Sequence, residues 1–257
     1  LGTRPELLKA PPPSTVEAIR KAADVRDPAA ERRMGFLYRY GLGVAKDQAE
    51  DFAFTSKAAV AGDEAAQNDL GEIYREGVGT AVDDAESARW FRMAAAQNYP
   101  PALANLGRMY LFGNGIQADD TAALEWLHKA ADLGDPVAQN YLGWFYSSRQ
   151  GYQKDYAQAI NWFRKAADQD FAIAQANLGR MYQKGEGVAQ NYPEAIRWYR
   201  KAAEHGNGWA ESNLGEMYEN GWGVDKDLGQ ALQWYEKGAA HGESEAAHNL
   251  ARLKHSN

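Results

Sequence analysis

The chain repeats itself every 36 residues, and no other property of the sequence limits its fold as strongly. Written in blocks from Asp27, the columns align without an insertion or deletion through 27–62, 63–98, 99–134, 135–170, 171–206 and 207–242. One column reads Gly35, Gly71, Gly107, Gly143, Gly179, Gly215 and then Ala251. The residue before it reads Met34, Leu70, Leu106, Leu142, Leu178, Leu214 and Leu250. Tyr38 returns as Tyr74, Tyr110, Tyr146, Tyr182 and Tyr218, and Phe54 as Trp90, Trp126, Trp162, Trp198 and Trp234. A fixed period of this length means a stack of supersecondary units, each burying its apolar face against the next.

Each block reads as two helices. Helix A starts after Asp27, Asp63, Asp135 or Asn207, whose short side chains can accept an orphan backbone N–H. Pro28 and Pro136 take the first helical position, where a missing N–H costs nothing. Ala30, Met34, Leu37 and Tyr38 then follow at helical spacing. The helix stops at a Gly-x-Gly turn, as at Gly41 and Gly43 or Gly185 and Gly187, because glycine permits the left-handed backbone that ends a helix. Helix B starts after Asp47, Asp83, Asp119, Asp155, Asn191 or Asp227 and ends at Gly62, Asn98, Gly134, Asp170, Gly206 or Gly242. Block four departs at its turn, with Arg149 for the first glycine and Tyr152 for the valine, yet keeps its length. In block one Thr55 follows Phe54 where other blocks pair Trp with an aromatic or Leu.

The ends follow the same register. Val16, Ile19, Ala22 and Ala23 align with a helix B, and residues 243–253 with a helix A. The expected organisation is an extended arm or linker over 1–13, which carries Pro11, Pro12 and Pro13, and an all-α solenoid over 14–257. Half-repeat caps at 14–26 and 243–257 would close it, with Lys254 where the tyrosine column ends.

These columns resemble the Sel-one-like repeat family, a branch of the tetratricopeptide-like helical repeats. Block five carries the pattern almost in full: Ala174, Leu178, Gly179, Tyr182, Gly185, Gly187, Val188, Ala195, Trp198, Tyr199, Lys201, Ala202 and Ala203. The resemblance covers about residues 16 to 253. It implies a right-handed α-solenoid whose concave face is lined by the A helices, and an adaptor role in bacterial signalling, envelope or host-interaction systems.

Chemistry-bearing motifs are scarce. There is no cysteine, so disulfides, cysteine zinc sites and cysteine nucleophiles are excluded. No G-x-S-x-G elbow, S-x-x-K, H-E-x-x-H or phosphate-binding loop occurs, and the Gly-x-Gly pairs follow a helix rather than a strand. No catalytic residue, metal site or cofactor is expected. Of the five histidines, His205 and His241 share the last column of helix B, as helix C-termini favour. His248 and His255 could share a face but lack further ligands. The net charge of -7 argues against nucleic acid, and no stretch approaches the ~18 apolar residues of a membrane span. The first residue is Leu1, which reads as a processed chain, with the bacterial periplasm or secretion after signal-peptide removal as the expected location.

Function should lie where the repeats differ. On helix A, positions 29, 33, 36 and 40 and their equivalents form one stripe away from the core. It carries Asn105, Arg108 and Phe112, then Tyr141 and Trp144, then Asn177, Arg180 and Lys184, then Trp209, Asn213 and Glu216. Phe112, Tyr141 and Trp144 are expected close together as aromatic anchors, flanked by Arg108 and Arg180 as clamps for a carboxylate or phosphate. The asparagines could hold an extended backbone. Asp69, Glu72 and Glu76 form an acidic patch, and Trp222 is an exposed turn aromatic. The expected function is a non-catalytic scaffold binding a peptide or helix of a protein partner between blocks three and six. A cell-wall glycan stacked on Tyr141, Trp144 and Trp209 is the alternative, and a hydrolase of cell-wall or amide substrates a lesser one.

Overall fold

The computed structural model describes residues 9–255. Among them the only regular element is the α-helix. A first helix, α1 (Pro13–Asp24), precedes six A/B pairs: α2 (Pro28–Tyr40) with α3 (Gln48–Val60), α4 (Glu64–Glu76) with α5 (Asp84–Ala96), and α6 (Pro100–Phe112) with α7 (Asp120–Asp132). Then follow α8 (Pro136–Ser148) with α9 (Tyr156–Ala167), α10 (Ala172–Lys184) with α11 (Tyr192–Glu204), and α12 (Gly208–Asn220) with α13 (Leu228–Ala240). The last described helix is α14 (Ser244–His255). Residues 1–8 of the expected arm lie outside the described residues; residues 9–12 are not helical. The helices fall into two compact units that meet in sequence between Asp135 and Pro136. Within each, every A helix packs on its own B helix, and that B helix on the next A helix. The expected α-solenoid of helical repeats is therefore what the chain forms.

Local chemistry sets the helix ends. The side chains of Asp47, Asp83, Asp119, Asp155, Asn191 and Asp227 each accept a backbone N–H at the start of a helix B. Such a cap is worth about 1 kcal/mol. Asp27, Asp63 and Asn207 cap α2, α4 and α12 in the same way, while Tyr99 and Phe171 start α6 and α10 without a side-chain cap. Gly41, Gly77, Gly113, Gly185 and Gly221 end their A helices at φ between 69° and 72°. In repeat four Arg149 is not left-handed, and Gly151 takes the positive φ, 88°, instead. The turn still closes: the Asp155 N–H reaches the Tyr146 carbonyl at 2.9 Å, as Asp47 reaches Tyr38 at 3.1 Å.

The invariant glycine column has a packing cause. A Cβ added at Gly71, Gly107, Gly143, Gly179 or Gly215 would sit 2.5–2.7 Å from Phe91, Leu127, Phe163, Tyr199 or Tyr235 of the same repeat. That large side chain is buried in all five repeats and can close on helix A only where helix A has no side chain. The tryptophan column is buried or half-buried as well, and Lys129, Lys165, Lys201 and Lys237 each lie 3.9–5.7 Å over the tryptophan three residues earlier.

Much of the variation between repeats is paired. Where the large column is tyrosine, helix A supplies an acceptor: Tyr199 donates to Gln183 Oε1 at 2.6 Å and Tyr235 to Glu219 Oε2 at 2.9 Å. Where that column is Leu127, the helix A position is Leu111. Repeat one replaces the large residue with Thr55 and fills the space with a buried ion pair. Arg39 donates to both carboxylate oxygens of Asp51, at 2.8 and 3.1 Å, and Thr55 donates to Asp51 Oδ1 at 3.0 Å. Gln97 meets Gln67 at 3.0 Å, Gln169 meets Gln139 at 2.9 Å, and at the same two positions His241 Nδ1 meets the buried Glu211 at 2.6 Å. Helix-end preference alone is thus too weak an account of His241. Arg164 and Arg200 donate to the Tyr182 and Tyr218 hydroxyls at 2.9 and 2.7 Å, and at the last such contact Lys254 meets Glu236 at 2.8 Å.

Candidate partner-binding site

The second unit has a cleft of about 210 Å³ on the face formed by α10, α12 and α14. It is lined by Arg180, Gln183, Lys184, Trp209, Ser212, Asn213, Glu216 and Glu245. Arg180, Lys184, Trp209, Asn213 and Glu216 all come from the variable stripe. Glu245 occupies the same column as Trp209, one period on, in the final half-block. Column counting over six full blocks stops short of it. Gln183 and Ser212 lie one position off the stripe and had no signal of their own.

The cleft walls are held from behind. Trp209 is half-buried, packs on the cluster around Leu214 and Met217, and meets the Tyr199 ring edge-on at 6.1 Å. Asn213 donates its amide to the Trp209 carbonyl at 2.8 Å, which fixes the amide plane. Arg180 is paired with Glu186 at 2.9 Å, and Arg252 with Glu219 at 2.7 Å. Gln183 is occupied by the Tyr199 hydroxyl. Burial pushes that phenol far above its ordinary pKa, so it stays a donor.

Glu216 stands apart from these satisfied groups. Its carboxylate is half-buried, accepts no hydrogen bond and makes no ion pair among the described residues. Burial pushes its carboxyl up from the ordinary value; Glu245 and Glu219 add to the rise, while Arg252 and Lys184 oppose it. Lys184 is exposed and has no ion-pair partner among the described residues.

The other expected residues divide. Asn105 and Asn177 donate their amides to Asn68 and Asn140 of the preceding repeat, at 3.1 and 3.0 Å, and so tie repeats together. Opposite Asn213 the preceding repeat has Ala176, so Asn213 is not drawn into that clamp. Phe112 is exposed, and Arg108 keeps one buried guanidinium nitrogen without a hydrogen-bond partner; both belong to the first unit. Tyr141 and Trp144 belong to the second unit and are half-buried. Trp144 packs against the cluster around Phe163 and Leu178.

The acidic patch is largely neutralised. Arg75 pairs with both Glu72 and Glu76. Burial pushes the Asp69 carboxyl up, opposed by Arg39 and Arg32. Trp222 stacks on Tyr192 at 5.9 Å and 11°, bracing a turn against the neighbouring helix B. Among the described residues no three His, Cys, Asp or Glu side chains are disposed to hold a metal, and no helix is long and apolar enough to cross a membrane.

Helix pairs repeated at one period, interlocked within each unit and with a variable stripe on the A helices, define a helical-repeat protein of the α-solenoid class. The family model described as Sel1 repeat matches residues 28–63, 64–99, 100–135, 136–171, 172–207 and 210–243, and the chain belongs to that family. A Sel1 repeat protein from Oxalobacter formigenes is 34% identical at a TM-score of 0.78, over 88% of this chain and 99% of that one. A protective antigen of uropathogenic Escherichia coli, described as displaying an SLR fold, is 37% identical at a TM-score of 0.70 over 91% of this chain. The present chain spans only 50% of the length of that antigen. An immunity protein from Pseudomonas aeruginosa, 22% identical at a TM-score of 0.59 over 93% of this chain and 86% of its own, shares the fold. No curated protein matches the sequence. Sel1 repeat proteins are commonly protein-interaction scaffolds and generally non-catalytic.

Proposed function

We propose that this chain is a non-catalytic interaction scaffold that holds an extended segment of a partner protein along the A-helix face of its second unit. The observation that carries the reading is the composition of the cleft. Six of its eight lining residues come from the stripe columns, where the repeats differ strongly. At about 210 Å³ the cleft is smaller than the roughly 300–1,000 Å³ of a small-molecule site, and its size suits side chains of a polypeptide. Asn213, held by the backbone of Trp209, supports the same reading, because a fixed amide is a good partner for a passing peptide group.

The test is capture of a partner by wild type and by a Lys184→Glu/Asn213→Ala variant, after circular dichroism establishes that both fold. A protein cross-linked beside α10 or α12 in wild type and lost in the variant supports the reading. Equal retention by both would move the binding surface off this face.

A further inference from the structure

Resting on that reading, we propose that the cleft on α10, α12 and α14 is a socket for one basic side chain of the partner segment, a lysine or arginine, with Glu216 as its counter-ion. The first ground is the state of Glu216. A half-buried carboxylate with neither hydrogen bond nor ion pair costs folding free energy, and the cost is recovered when a cation arrives. Arg252 and Lys184 act on it only through space and do not overcome the effect of burial. Arg180 is committed to Glu186 and Arg252 to Glu219.

The second ground is the balance of charge. Of the charged residues that line the cleft, Arg180 is paired with Glu186, which leaves Lys184 against the two carboxylates of Glu216 and Glu245. The third is the wall. Trp209 offers apolar surface to the methylene stem of a lysine or arginine and ring electrons to its charged end. Volume admits one such side chain rather than a run of them. Lys184, exposed and without an ion-pair partner among the described residues, repels a second cation and favours an acidic or neutral neighbour in the segment.

The experiment uses a positional-scanning array of short acetylated and amidated peptides, probed with the full chain. The proteins are wild type, Glu216→Gln and Lys184→Glu/Asn213→Ala. Glu216→Gln keeps the side-chain shape and removes only the charge, so the fold is retained. Wild type is expected to select lysine or arginine at one position, and norleucine there to weaken binding about tenfold, the loss of one partly desolvated ion pair. Glu216→Gln is expected to abolish that selection while binding the norleucine peptide as wild type does. Peptides lost by Lys184→Glu/Asn213→Ala but indifferent to Glu216→Gln, or selected without a basic residue, would overturn the basic socket and leave the peptide-binding reading standing. An array on which no signal depends on Lys184 and Asn213 would overturn both.

Discussion

Tyr199 and Gln183 supply a sharp test of how these repeats are held together. Tyr199 is fully buried, and its hydroxyl donates to Gln183 Oε1 at 2.6 Å. Replacing Gln183 with leucine leaves that hydroxyl dry, at a cost of about 1–3 kcal/mol. Replacing Tyr199 with phenylalanine frees only a half-buried amide that can turn to water, so about 0.5–1 kcal/mol is lost. The double variant Gln183→Leu/Tyr199→Phe restores an apolar pair of the kind repeat three already uses at Leu111 and Leu127. It should lie within about 0.5 kcal/mol of wild type, giving a coupling energy of roughly 1–3 kcal/mol. Urea unfolding followed by far-UV circular dichroism measures all four corners, and each kcal/mol appears as roughly 2–4 °C in Tm. Additive losses, with coupling under about 0.5 kcal/mol, would refute the claim that the two columns are chosen as a pair.

Three further outcomes follow from the same contacts. Gly71→Ala drives a Cβ to 2.7 Å from the buried Phe91 ring; overpacking of about 1–3 kcal/mol outweighs the ~1 kcal/mol gain in helix propensity, so thermal melting should show a net loss. Asp51→Ala strands the Arg39 guanidinium and should cost about 3 kcal/mol, whereas Arg39→Leu/Asp51→Ala/Thr55→Leu, which installs the Leu111, Ala123 and Leu127 set of repeat three, should recover most of it. Glu216 has a folded pKa raised by burial, so its contribution to stability is present below the unfolded value and lost as pH rises through the folded one. Glu216→Gln should therefore be more stable than wild type by up to about 1 kcal/mol near neutral pH, with the gap closing in acid; a gap that widens in acid would contradict the sign.

Helix ends were legible from the sequence because they are decided within a few residues. The Asp47 column caps its own helix, and the left-handed positions at Gly62, Asn98 and Asp170 follow from residue type alone. The glycine column was legible as a constraint but not as a contact, since its partner lies twenty residues away on the other helix, as Gly179 and Tyr199 do. The stripe was only partly legible. A helical wheel separates a core side from an outer side, but an A helix in a stack also touches its neighbours on both flanks. Asn105, Asn177 and Trp144 fall on those flanks, so the wheel counted them as surface although they pack or bond inside the stack. Glu245 was hidden for a simpler reason: it lies where the period breaks off.

Differences between repeats thus have two physical origins. Some are internal exchanges in which two positions change together and leave the fold indifferent: Gln183 with Tyr199, Gln67 with Gln97, Glu211 with His241, Glu236 with Lys254. Such differences carry no information about a partner, because the chain itself supplies the reason for them. Others have no such paired exchange among the described residues. Among the described residues Glu216 makes no hydrogen bond or ion pair and Lys184 no ion pair, and Asn213, opposite an alanine where Asn105 and Asn177 face asparagines, bonds only within its own helix at Trp209. A charge half-removed from water with no direct partner is a standing cost to folding, offset only in part by Arg252 and Lys184 acting through space. These three residues meet in one cleft, and a guest that compensates them is the economical account of why they are there.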